Sequence, residues 1–123
     1  MNPETRERAR RLAEAARDRK AENVVALAVG PLTSFADAFV LATAASDRQG
    51  RAIADAVREA AKEIGMPLLG TEGYEDGRWI LIDCGDVIVH IFVREAREHY
   101  DLDRLWGDAE RIELPEPAEA TAR

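Results

Sequence analysis

The sequence predicts a mixed α/β (α+β) domain, and three patterns carry that prediction. Two apolar runs, residues 23–29 and 38–43, have the length and side-chain content of buried strands. Between residues 46 and 65 apolar side chains recur at spacings of three and four, the signature of an amphipathic helix. From residue 68 to 93 the period falls to two, broken by Asp76-Gly77 and Cys84-Gly85, which reads as a three-stranded ribbon.

Each element follows from local signals. Residues 3–21, rich in Arg, Ala and Glu, read as a helix with Asn2 as its cap and Pro3 at its first position. Its apolar face is thin (Ala9, Leu12, Ala13, Ala16), so light docking is expected. The run from Asn23 to Val29 ends at Gly30-Pro31, and Thr33 to Asp37 connects it to a second strand, Ala38 to Thr43. Ser46 with Gln49 forms a capping box for a helix that presents Ile53, Val57, Ala60, Ala61 and Ile64. Gly65 and Pro67 end it. Strands are expected at 68–74, 78–83 and 86–93, then a short helix at 95–99. Asp101 is expected to cap a last turn bearing Leu102, Leu105 and Trp106. The domain is thus read as residues 1–112, and 113–123, with two prolines and no period, as a disordered tail.

Two-residue hairpin loops fix a register by counting. Tyr74 then faces Trp79, Trp79 faces His90, Leu81 faces Ile88 and Asp83 faces Asp86. One face of the ribbon receives Ile80, Ile82, Val87, Val89, Ile91 and Val93, all aliphatic. The other receives Tyr74, Trp79, Leu81, Ile88, His90 and Phe92. Both faces are apolar, so the second needs a cover, from its own chain or from a partner.

Composition bounds the function. With 123 residues, 46% hydrophobic and 33% charged, the chain suits one globular domain. A lone cysteine, Cys84, excludes an internal disulfide framework and a Cys-rich zinc site. No apolar run approaches the ~18 residues of a membrane span, no signal peptide is read at the N-terminus, and a cytoplasmic location is expected. The net charge of −7 is unevenly spread: residues 1–20 carry +3, residues 21–70 −2 and residues 71–123 −8. An acidic C-terminal half disfavours phosphate backbones, which are bound by Lys and Arg, and suits a basic protein partner. Little direct nucleic-acid binding is expected.

Few residues suggest catalysis. Asp37, Asp83, Asp86 and His90 form the one candidate set for a metal or for acid–base work. The competing reading makes Asp83 and Asp86 turn formers that satisfy backbone N–H groups. His90, inside an apolar strand, reads as a hydrogen-bonded histidine beside Trp79 rather than a base. His99 lies at a helix end. Cys84, between two carboxylates, should have an unactivated thiol. Phosphate-loop, dinucleotide, His-Glu-x-x-His and Cys-x-x-Cys motifs are absent, so neither an enzyme nor a cofactor is indicated. Tyr74, Trp79, Tyr100 and Trp106 cluster in the last half, either as interface anchors or as a second core.

The stretch from Gly73 to Phe92, with Trp79, Asp83, Gly85, Asp86 and His90, resembles the signature of the ribosomal silencing factor (RsfS, Iojap-like) family. Three further segments resemble that family in the same order: Lys20 to Val24; Asp37 to Val40 with Ser46, Arg48, Gln49 and Ala52 to Asp55; and Arg97 to Trp106. The chain departs from the pattern at Asn23, Ala28, Ala44, Ala45, Gly50 and Cys84. The resemblance implies a mixed sheet of about five strands flanked by helices on both faces, similar to a nucleotidyltransferase core without its catalytic motifs.

It also implies binding to the large ribosomal subunit through its ribosomal protein uL14, a block on joining of the small subunit, and translation repression under nutrient limitation. A homodimer is implied for the free protein. The partner-binding residues expected are Trp79, Asp83, His90, Tyr100, Leu102, Leu105 and Trp106, of which Leu105 and Trp106 are the most readily read as core. Two alternatives stand beside this reading. One is a metal-dependent nucleotidyl or phosphoryl transferase using Asp37, Asp83 and Asp86. The other is a plain dimerisation module.

Overall fold

A computed structural model describes residues 1–115 of the chain. Helix α1 (Pro3–Asp18) leads into strands β1 (Glu22–Ala28) and β2 (Ala38–Ala44), then helix α2 (Asp47–Glu63). Strands β3 (Gly70–Glu72), β4 (Trp79–Asp83) and β5 (Val87–Val93) follow, then short helices α3 (Arg94–Tyr100) and α4 (Leu102–Leu105) and strand β6 (Glu110–Ile112). The strands form one sheet in the order β3-β4-β5-β2-β1-β6. β2 and β5 run parallel; every other neighbouring pair is antiparallel. The expected mixed sheet with helices on both faces is present, with six strands rather than about five. The additional strand, β6, adds Glu110–Ile112 to the free edge of β1.

α1 begins as its cap predicts: the Asn2 side chain accepts from the Glu4 N–H at 2.7 Å, with Pro3 in the first turn. It stops at Asp18, before residue 21, because Lys20 takes a left-handed conformation (φ 68°). The Lys20 and Ala21 N–H groups then close onto the Arg17 and Ala16 carbonyls. The expectation of light docking is corrected. Thr5, Ala9, Leu12, Ala13, Ala15 and Ala16 are all buried. Small side chains on α1 meet small ones on β2 (Ala38, Ala42, Ala44), so helix and sheet approach closely and leave no apolar surface open.

α2 is capped by Ser46, whose Oγ accepts from the Gln49 N–H at 3.1 Å. The Gln49 amide also donates to the Arg19 and Lys20 carbonyls at 3.2 Å, closing the end of α1. At the other terminus Gly65 (φ 75°) closes the helix, as predicted. α1 and α2 cover one sheet face over Val40, Ile80, Ile82, Val87, Val89 and Ile91. On the other face Ala96 of α3 and Leu102 of α4 pack over Leu27, Phe39, Leu41, Ile88 and Phe92.

The β4–β5 register differs from the one counted from the sequence. Trp79 faces Phe92, Leu81 faces His90 and Asp83 faces Ile88. The loop is Gly85-Asp86 rather than Cys84-Gly85, with the Cys84 N–H donating to the Val87 carbonyl at 3.0 Å. Gly85 has φ 89°, the positive value that Gly-first hairpin loops require at their first position. Moving the loop by one residue moves the pairing by two, so the predicted faces survive. Two residues leave them. Val93 packs on the second cluster as the chain turns into α3, and Tyr74 packs on the first.

β3 is shorter than expected and pairs only from Gly70–Asp83 to Glu72–Leu81. Gly73 (φ 76°) takes the chain out of the ladder, and Tyr74 turns to α2, where its hydroxyl donates to Asp55 Oδ1 at 2.9 Å. Of the segment read as a tail, Glu113 and Pro115 lie on α1, their carbonyls accepting from Arg10 and Arg17. Residues 116–123 lie outside the described residues.

Candidate docking face

Aromatic side chains from four elements meet on the second sheet face. Trp79 of β4 lies beside Phe92 of β5 (ring centroids 5.0 Å) and Tyr100 at the end of α3 (4.6 Å). Phe39 of β2 continues the row, meeting His90 at 4.8 Å and Trp106 edge-on at 5.1 Å. Phe35, in the β1–β2 connection, extends it at 6.1 Å from Phe39. Such offset and edge-on pairs align negative ring faces with positive ring edges.

The row is buried at its centre and open at its ends. His90 and Phe92 are buried and Trp79 and Trp106 are half-buried. Tyr100 is 50% exposed, Phe35 62% and Leu105 70%. Reading Leu105 as core is therefore corrected: α4 is one turn long and only its Leu102 points inward. Trp106 does pack on the core, through Phe39.

His90 is diagonal to Trp79 across the β4–β5 ladder, and the indole Nε1–H donates to its Nδ1 at 3.1 Å. Burial lowers its pKa from 6.5 to about 4, so the imidazole is neutral at physiological pH. With Nδ1 accepting, the proton sits on Nε2, which is buried without a hydrogen-bond partner among the described residues. This locks the Trp79 ring in place and supplies no base to solvent.

Asp83 lies at the far end of β4 from Trp79, about 13 Å along the strand at the usual rise. Its Oδ1 accepts from the Gly85 N–H at 2.9 Å, the turn-forming role expected of it. Asp86 accepts from Thr5 Oγ1 at 2.8 Å and Arg8 Nη1 at 3.3 Å, tying the β4–β5 loop to α1. Asp37 is exposed. Among the described residues no three His, Cys, Asp or Glu side chains group so as to hold a metal ion. Cys84 is buried and its pKa is pushed up to about 11, by desolvation first and then by Asp83 and Asp86. The thiol is unactivated, as the flanking carboxylates suggested.

The α3–α4 corner is held by a residue not singled out from the sequence. Arg97 is buried and spans three elements. It donates to both carboxylate oxygens of Asp103 at 2.8 and 2.9 Å, to the Asn23 carbonyl at 2.8 Å and to Thr43 Oγ1 at 2.9 Å. The guanidinium holds the Asp103 carboxyl below the usual carboxylate range. Asp101, at the junction, is left-handed (φ 47°) and makes no side-chain cap bond, contrary to its expected capping role. An αL residue turns the chain too sharply for its carboxylate to reach the next helix's N–H groups. Phe39 was likewise not singled out; its alternation with Leu41 in β2 places both on the aromatic face.

Fold and face together define a mixed α/β protein with helices on both sides of a six-stranded sheet and a partly open aromatic surface on one side. Residues 2–123 match the family model described as "Ribosomal silencing factor during starvation", and the chain belongs to that family. It is 45% identical over 97 residues to a ribosomal silencing factor RsfS of Halalkalibacterium halodurans, covering 79% of this chain and 83% of that one. The RsfS of Bacillus subtilis is 39% identical over 102 residues, 83% and 86% of the two chains. A Chromobacterium violaceum crystal structure superposes with a TM-score of 0.81 at 36% identity, covering 96% and 93%. The family resemblance read from the four segments between Lys20 and Trp106 holds. Among the described residues no helix is long and apolar enough to cross a membrane.

Proposed function

We propose that this protein binds the large ribosomal subunit through uL14 and sterically blocks joining of the small subunit, lowering translation when nutrients are scarce. The observation that carries the reading is the half-open aromatic row of Trp79, Tyr100 and Trp106, flanked by Leu105 and Phe35. Exposed aromatic anchors set on a rigid sheet suit protein docking. Residues 94–110 carry six acidic and three basic side chains, which favours a basic protein over phosphate backbones. A steric block needs position and affinity only, so no bond-making residue is required and the protein is read as a regulator rather than an enzyme. The reading places Tyr100, Leu105 and Trp79 at the contact, with Leu102, Trp106 and His90 supporting them from beneath. Asp83, at the strand's other end, belongs to the periphery.

Co-sedimentation with purified large subunits tests it. Wild type is expected to pellet, and Trp79→Ala and Tyr100→Ala to remain in the supernatant while folded. If wild type stays in the supernatant at micromolar concentration, the reading fails. If both variants pellet with it, the docking face lies elsewhere.

A further inference from the structure

We infer that Arg97 and Asp103 are positioning residues for docking: their ion pair sets the α3–α4 corner that presents Tyr100 and Leu105 to the ribosomal partner. This deepens the reading of the aromatic face as the docking face and rests on it. Tyr100 is the last residue of α3 and Leu105 the last of α4, and the left-handed Asp101 lies between the helices. Seven- and four-residue helices have little intrinsic stability, so their relative angle must be set by something else.

Ala96 and Leu102 seat the two helices on the sheet, and the Asp101 N–H donates to the Arg97 carbonyl at 2.9 Å. One side-chain ion pair ties α3 to α4 directly. Arg97 on α3 grips Asp103 on α4 with two parallel N–H···O bonds, a geometry that fixes both distance and angle. The same guanidinium is anchored to the sheet through the Asn23 carbonyl and Thr43 Oγ1. Asn23 (φ 54°) lies in the β1 bulge, where the pairing with β2 shifts between Glu22 and Val25. That irregularity leaves its carbonyl free to take Arg97. Arg97 is 8% exposed, and the Asp103 side chain is 34% exposed with both its oxygens on the guanidinium. Among the described residues neither makes an aromatic contact in the row. Their influence on docking therefore runs through the corner they brace.

A double-mutant cycle separates positioning from general destabilisation. Affinity for purified large subunits is measured for wild type, Tyr100→Ala, Asp103→Ala and the double variant, at a temperature where circular dichroism shows each folded. Tyr100→Ala is expected to weaken binding about tenfold or more in the wild-type background and less than about threefold beside Asp103→Ala, because a misaligned corner no longer delivers the ring. Leu12→Ala, which weakens the core on the opposite sheet face, serves as the control and should leave the full Tyr100→Ala effect. Asp103→Asn, which keeps one acceptor for Arg97, should fall between wild type and Asp103→Ala. It replaces the alanine variant in the cycle if that one does not fold.

A ribosome-independent readout accompanies the cycle. The Tyr100 ring-proton shifts, moved by Trp79 at 4.6 Å, should relax toward solvent values in Asp103→Ala and not in Leu12→Ala. Multiplicative losses in the cycle, or unchanged Tyr100 shifts, would overturn the inference while leaving the docking face intact. No loss on Tyr100→Ala in the wild-type background would overturn the docking face and the inference with it.

Discussion

Acidification should destabilise this fold through His90 in a pH range where few other groups act. The imidazole is buried against Phe39, Phe92 and Trp79, and burial lowers its pKa to about 4. In the unfolded chain it titrates near 6.5, so between those values the unfolded state holds a proton that the folded state does not. Stability is therefore intact above about pH 6.5 and falls as the pH drops toward 4. Linkage puts the loss at about 2 kcal/mol at pH 5 and about 3 kcal/mol at pH 4, a large share of a domain's typical 5–15 kcal/mol. Asp103 is displaced in the same direction for a different reason: its hydrogen bonds from Arg97 lower the carboxyl pKa. Its contribution is present above the ordinary carboxylate range and is lost only as the pH falls further, through the folded value.

Urea unfolding followed by circular dichroism at pH 7.5, 6 and 5, at fixed ionic strength, isolates the effect when wild type is compared with His90→Asn. The asparagine can still accept from the Trp79 indole but does not titrate. It should be less stable than wild type at pH 7.5, and the gap should close by about 2 kcal/mol at pH 5. A gap that stays constant across this range would mean that His90 titrates alike folded and unfolded. That would refute the buried, neutral histidine.

Two further expectations follow from other parts of the molecule. A Cβ on Gly73 would sit 2.1 Å from the Trp79 carbonyl oxygen, in a backbone with φ 76°, so Gly73→Ala should cost about 2–3 kcal/mol or more in urea unfolding. Cys84, buried with its pKa near 11, should resist iodoacetamide at pH 8 in the native protein and react once urea exposes it, as read by mass spectrometry.

What could be read from the chain follows from where the signals are local. Asn2-Pro3, Ser46 with Gln49, and Gly65 act within one helical turn, and all three helix ends stand where they point. The period-two run over β4 and β5 assigned the faces, and this survived a wrong loop because the error was an even number of residues. β6 is not legible in the sequence because Glu110–Ile112 has no pattern of its own and pairs only because β1 offers a free edge. Tyr74 leaves the face its alternation predicts because Gly73 takes the chain out of the ladder, a conformation that any alternating run containing glycine conceals. Arg97 looks like any surface arginine of a short helix. Its burial depends on a bulge at Asn23 and a threonine in β2, remote in sequence from α3. The aromatic row was legible in its Trp and Tyr members, while Phe35 and Phe39 joined it only through the β2–β5 pairing.

The most direct test of the account is subunit joining itself, followed by light scattering as small subunits are added to large subunits preincubated with the protein. The account expects wild type to suppress the rise in scattering in proportion to its occupancy of the large subunit, and folded Tyr100→Ala to leave joining unimpeded at the same concentration. If joining proceeds normally with wild type bound to every large subunit, occupation of the joining face is not how this protein acts.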